Sequence, residues 1–540
     1  MLLLELLLLL LICAVALGWI ARHFRFPYPI ALVIGGALLG FAPRMPEFPF
    51  DPQLILVIVL PPILYQAALL TSWSDFKTHI RPIGLLAIGL VIATTLAVGA
   101  ALKLMVPDVP WAVAFVLGAI VSPPDAVAAT AILSRLNIPR RIVTVLEGES
   151  LVNDASGLVI YKFAVAAVLT GAFSLADASV QFGLVAVGGI AVGVVLAHGF
   201  LLVHRHLGDP FIEVLTSLTI PYTAYVVAES MHLSGVLAVV AAGLVRGRHA
   251  PEVVSAEMRI MARSVWNLLV FMLNSVVFML IGIQMSTVID NLGRYSAPEL
   301  FGLGAFVSVV AVTARFAWVY PVAALPRVLS GSLHEQDPTP RKRELFIISW
   351  CGMRGIVSLA AALALPVALP NGDPFPYRDL VIFLTFFVIA TTLVGQGLTL
   401  APLIRRLNVG ADWSDRRERE RVQAAMSAAA LAAIDEVSAD RGISGAWLER
   451  FRGAMCACAA PASAAGAPAP TIVVELRRAA ICAERRELLR QWRENRIGDE
   501  AMHHLEEILD YQEAQIADIS HDNSPDGVLP AEPKGAAPPS

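Results

Sequence analysis

Stretches of about 20 residues with no charge recur through the first 400 positions of this chain; Leu85–Leu102, LLAIGLVIATTLAVGAAL, is one. A helix of about that length spans the hydrocarbon core of a bilayer. The repetition excludes an ordinary water-soluble fold. Composition agrees, with 57% hydrophobic residues, only 16% charged and a mean hydropathy of +0.68, which is the profile of a polytopic membrane protein. The formal net charge of -4 gives no sign of a nucleic-acid partner.

The sequence predicts thirteen spans, centred near Leu10, Ile34, Val57, Val91, Ile120, Val159, Val192, Thr219, Val239, Phe271, Val309, Val357 and Phe386. Lys and Arg fall mainly in alternate short loops: Arg22 and Arg25; Lys77 and Arg81; Arg135, Arg140 and Arg141; Arg205; Arg246, Arg248, Arg259 and Arg263; Arg327, Arg341, Lys342 and Arg343; Arg405 and Arg406. The positive-inside rule puts those loops in the cytoplasm. The N-terminus is then outside and the C-terminus inside, which needs an odd number of spans. The N-terminal apolar run has its positive charges after it rather than before it, so it reads as an uncleaved first span in the cell (inner) membrane and not as a signal peptide.

Residues 1–405 read as the transmembrane domain and 406–520 as a cytoplasmic helical tail. The tail opens on a charged run, Asp415–Arg421 (DRRERER), and carries helical patterns over 414–452 and 472–518. A Pro/Ala/Gly-rich linker over 459–470 separates them, and residues 521–540 have a disordered composition. The five cysteines are Cys13, Cys351, Cys456, Cys458 and Cys482. No further ligand follows the Cys456–Cys458 pair at zinc spacing, so all five read as reduced and structural, and no cofactor is expected.

Ionisable residues inside spans cost about 2.5–3.5 kcal/mol each on insertion scales and mark function. Here they are Asp125, Glu147, Glu149, Asp154, Lys162, Glu229, Arg315 and Arg354. Pro123 and Pro124 precede Asp125 and must break their span. Unpaired backbone at membrane depth survives only where protein buries it or it lines a wet cavity, so a carboxylate there suits a cation site. In the next span Glu147, Ser150 and Asp154 share a helix face, with Glu149 and Asn153 on an adjacent one. A carboxylate in a partly dehydrated cavity can hold a proton or a metal cation but not both, and that competition suffices for exchange. An arginine in a span needs a carboxylate. The expected pairs are Arg354 with Glu149 and Arg315 with Glu229; Lys162 either snorkels outward or pairs inside.

The motifs SPPDAVAATAI, EGESLVNDASGLVIY and GMRGIVSLA, in that order, resemble the monovalent cation/proton antiporter-1 family, the NhaP-type sodium/proton exchangers, over residues 5–405. The resemblance implies an all-α polytopic fold of about thirteen spans. Two inverted six-helix repeats would form a dimerisation domain and a core in which two discontinuous helices cross. It implies a homodimer that exchanges Na⁺, with Li⁺ or K⁺ as alternatives, for H⁺. By position, Asp154 matches the residue that carries cation or proton, Asn153 its Asn partner, Asp125 the aspartate of the unwound stretch, and Ser150 a hydroxyl ligand. Glu149 and Arg354 match a buried ion pair. An Asn–Asp pair goes with electroneutral one-for-one exchange in such families. Two departures stand out: Pro124-Asp125-Ala126 replaces the usual Thr-Asp-Pro, and Gln66 in LPPILYQAALL stands where an acid is common. Paired intramembrane aspartates also permit proteolysis, but the Gly-x-Gly-Asp context is missing. A channel reading lacks any TVGYG-like filter.

Overall fold

The structure is a computed structural model that describes residues 2–24, 27–41, 52–133, 136, 138–171, 175–290, 296–329, 341–409, 414–456, 470–494 and 496–522. Among the described residues every long element is a helix, and β structure is limited to one bridge between Ala368 and Pro374. The chain divides into two compact units. One comprises 1–253 and 262–412, the other 254–261 and 413–540.

The first unit opens with α1 (Leu2–His23), α2 (Tyr28–Gly40), α3 (Pro52–Leu70), the short α4 (Trp73–Thr78) and α5 (Ile80–Gly84), a π-helical turn over Leu85–Leu90, and α6 (Val91–Met105). Then come α7 (Trp111–Val121), α8 (Ala126–Leu133), α9 (Arg140–Thr170), α10 (Leu175–His204), α11 (Pro210–Ser230), α12 (Gly235–Val253), α13 (Ala256–Asp290), whose residues up to Met261 count with the second unit, and α14 (Ala297–Leu329). It closes with α15 (Lys342–Trp350), α16 (Ile356–Leu363), α17 (Arg378–Thr391), a second π turn over Thr392–Gln396, and α18 (Gly397–Leu407). Seven helical segments among the described residues are long and apolar enough to cross a membrane, and four further apolar helices are 10–17 residues long.

Local chemistry sets many ends. Asp209 caps α11, accepting from the N–H groups of Phe211 (2.8 Å) and Ile212 (3.1 Å), with Pro210 at the first helical position; such a cap contributes about 1 kcal/mol. Gly171, at φ +69°, closes α9 in the left-handed conformation, which costs glycine least.

Between apolar helices in lipid there is little hydrophobic drive, so association depends on close backbone approach. Glycines supply it here. A Cβ on Gly36 or Gly40 of α2 would overlap the backbone of α13 at Met279 and Ile283. Gly243 and Gly247 bring α12 equally close to α3 at Tyr65 and Leu69. Gln66 of α3 donates to Asn267 Oδ1 of α13 at 2.9 Å. Gln66 therefore acts as a tie between helices here.

The second unit contains α19 (Ser414–Asp440), α20 (Ala446–Cys456), α21 (Pro470–Arg493) and α22 (Asp499–Asp522). Each expected tail segment is thus two helices: the chain turns at Gly442 and Gly445, both with positive φ. Val422, Met426, Ile481, Leu488 and Leu509 are buried together. Arg259, from the 254–261 segment of this unit, donates from Nε and Nη2 to Asp510 at 2.8 and 2.5 Å. Arg485 joins Asp510 at 2.8 Å. The expected linker lies almost wholly outside the described residues, as do Cys458 and residues 523–540.

Candidate cation-binding site

The prolines after Ser122 stop α7, and α8 resumes at Ala126. A second break separates α15 from α16 over Cys351–Gly355. The two unwound stretches meet: the Asp125 N–H donates to the Met353 carbonyl at 2.7 Å. Gly355 permits the approach, because a Cβ there would overlap the Asp125 carboxylate. That carboxylate accepts from the Val127 N–H at 2.8 Å, with the N–H of Ile356, first residue of α16, also directed at it. Helix N-termini favour negative charge.

Arg354 is 2% exposed and spends its donors on backbone. Nε reaches the Val121 carbonyl (3.0 Å), Nη2 that of Ala311 (3.3 Å) and Nη1 that of Gly352. Its own N–H donates to Thr392 Oγ1 at 3.2 Å. It thereby satisfies carbonyls released at both breaks, whose burial without partners would cost about 1–3 kcal/mol each.

The expected Glu149–Arg354 pair is therefore corrected. Glu149 binds Arg315 instead, through two hydrogen bonds of 2.5 and 2.7 Å, with both side chains at most 2% exposed. Arg315 also donates from Nε to the Ile348 carbonyl at 3.0 Å, in the last turn of α15. Two parallel bonds between guanidinium and carboxylate are the strongest form of this contact. The expected Arg315–Glu229 pair is corrected with it: Glu229 binds Lys162 Nζ at 3.1 and 3.2 Å, in a much more exposed pair. Lys162 is therefore paired, but in an exposed position, so it does not pair inside as one alternative had it.

α9 presents the remaining residues. Asn153 is fully buried; its Nδ2 donates to the Pro124 carbonyl at 2.9 Å, and its Oδ1 has no donor. Ser156 donates to Ala87 O in the first π turn, and Gly157 leaves room for the Pro123 ring. Asp154 is 7% exposed and has no hydrogen bond or ion pair among the described residues. Asp125 is near enough to act on it electrostatically. Ser150, one helical turn before Asp154, and Glu147 are half-buried.

Proline and charge patterns in the sequence mark Asp125, Asn153, Asp154, Glu149 and both arginines, but not every polar neighbour. Thr392, which anchors Arg354, has no sequence signature. Neither do the two π turns, although π turns frequently lie at functional sites.

Comparison with known proteins identifies the family and the fold. The family described as sodium/hydrogen exchanger, transmembrane, matches residues 7–406. An uncharacterised Na⁺/H⁺ exchanger of Mycobacterium bovis is 31% identical, covering 94% of this chain and 95% of that protein. A sodium, potassium, lithium and rubidium/H⁺ antiporter of Bacillus subtilis is 36% identical over 72% of this chain and 59% of its own length. Among solved structures, the sodium proton antiporter MjNhaP1 of Methanocaldococcus jannaschii superimposes with a TM-score of 0.60 at 20% identity, over 75% of this chain and 98% of that one. This last likeness establishes the fold. Together these matches show that the chain belongs to the sodium/hydrogen exchanger family of multi-pass membrane cation/proton antiporters.

Proposed function

We propose that this protein exchanges Na⁺ for H⁺ one for one, and that Asp154 is the group both ions use in turn. The observation that carries the reading is the contrast among buried charges. Glu149 is neutralised by Arg315, and Arg354 is occupied by carbonyls. Asp154 has no protein partner among the described residues, and it lies beside the second carboxylate, Asp125. A carboxylate left unpaired in a low-dielectric setting is costly unless a proton or cation neutralises it.

Asp125, Ser150 and carbonyls of the crossing complete the cation's oxygen shell, as a hard cation prefers, while Asn153 holds the unwound stretch through Pro124. Loaded states are neutral at Asp154 and cross between the two faces of the membrane; the empty charged state does not, which couples the two fluxes. One carboxylate taking one Na⁺ or one H⁺ gives electroneutral exchange. The protein works as a homodimer in the cell membrane, N-terminus outside and tail in the cytoplasm. Replacing Asp154 by Asn is expected to abolish Na⁺/H⁺ exchange in everted vesicles at normal expression. Retained exchange would remove Asp154 from the carrier role.

A second reading, broad selectivity including K⁺, is favoured by two observations. No threonine precedes Asp125, and the Bacillus subtilis relative is named for four cations.

A further inference from the structure

Beside the crossing, α2 and α13 bring up two polar side chains that the motifs do not mark. Asn274 of α13 is 2% exposed, and its Oδ1 is buried with no donor. Tyr28, the first residue of α2, sets its phenol beside the Asn274 side chain and within electrostatic reach of Asp125. Its ring is held against Phe271, one turn before Asn274 on α13, with centroids 5.6 Å apart. One and nearly two turns after Asn274, Val277 and Leu280 line a groove with Ile356, whose N–H is directed at Asp125. Asn274 is thereby placed near the unwound stretches.

A buried carboxamide oxygen without a donor costs about 1–3 kcal/mol, and a hard cation, which gathers several oxygen ligands at once, is one partner that removes this cost. We propose that Asn274 Oδ1 is an additional ligand of the transported cation, oriented by Tyr28, and that it contributes to selectivity where this chain has Pro124 in place of a threonine hydroxyl. The inference rests on the Asp125–Asp154 reading above. An asparagine oxygen carries no charge. It therefore tightens cation binding without adding a second titrating group, and it discriminates among monovalent cations through the space it leaves.

The test measures exchange in everted vesicles with Na⁺, Li⁺ and K⁺ titrated separately. Asn274→Ala is expected to raise the half-saturating Na⁺ concentration about tenfold, the loss of roughly one good ligand, and to change the order or spacing of the three cations. Asn274→Ser, which keeps an oxygen, should recover part of the loss, and Tyr28→Phe should move Na⁺ in the same direction by about threefold. Half-saturation unchanged for all three cations in Asn274→Ala would overturn the proposal and leave the Asp154 assignment standing. Should that variant carry no flux, the Na⁺-dependent rise in Tm of the purified full-length protein takes its place. A diminished rise supports the ligand role and a full one overturns it. Exchange that survives Asp154→Asn would instead sink the underlying reading, whatever Asn274 does.

Discussion

The Glu149–Arg315 pair shows how burial decides the cost of a charge. Both groups are buried; Glu149 is held by Arg315 through two hydrogen bonds, and Arg315 is held by Glu149 and by the Ile348 carbonyl. Removing one partner strands a charge and costs about 3–5 kcal/mol, whereas removing both together often costs little. Glu149→Gln or Arg315→Met alone should therefore lower the Tm of the detergent-purified protein strongly, and the double variant should recover most of the loss. A double variant as unstable as the worse single one would contradict this account. The sequence revealed that a buried acid and two buried arginines were present, but not which arginine the acid takes. That choice depends on the second break: it turns Arg354 towards the carbonyls of Val121, Gly352 and Ala311, and backbone disposition at a break has no side-chain pattern to announce it.

At the level of elements, two interrupted helices touch through backbone, and glycine decides how closely. Pro123 and Pro124 made the first break legible, since proline cannot continue a helix. The second break contains no proline, and only the family resemblance suggested it. Gly355 is the residue that lets the two stretches approach, as the Asp125 carboxylate occupies the space a Cβ would need. Gly355→Ala is expected to reduce exchange by at least about tenfold, because overpacking a filled site forces backbone shifts, while expression and helix content persist. Wild-type flux in that variant would show that the crossing tolerates displacement and does not set the site's geometry. The π turns at Leu85–Leu90 and Thr392–Gln396 add a related feature. A π turn leaves carbonyls free, and Ser156 and Trp318 use those of Ala87 and Leu85.

For the whole molecule, hydropathy made the membrane class readable, and the family match agrees with the class. The added segment 254–261 was not readable, because the contact of Arg259 with Asp510 spans 251 positions. The tail unit also carries a titrating group of its own. Glu484 of α21 is half-buried, and burial pushes its carboxyl up from 4.5 to about 7. A folded-state value above the unfolded one means that the group favours folding most below about pH 4.5, and that this contribution is lost as pH rises through about 7. Glu484→Gln should therefore stabilise the tail helices at pH 8 by about 1–2 kcal/mol, allowing for partial solvent screening, and flatten their pH dependence over that window. Hydrogen exchange across α21 in the full-length protein measures it; an unchanged profile would place the group in water.

The central claim is that one carboxylate, Asp154, serves both ions in turn. Its most direct test is dequenching of a pH dye in everted vesicles, with Na⁺ titrated at several pH values. Competition at one site predicts that the half-saturating Na⁺ concentration rises up to about tenfold for each unit of acidification on the acid side, and that Asp154→Asn shows no exchange at any pH. A half-saturating concentration independent of pH, or exchange persisting in Asp154→Asn, would contradict it.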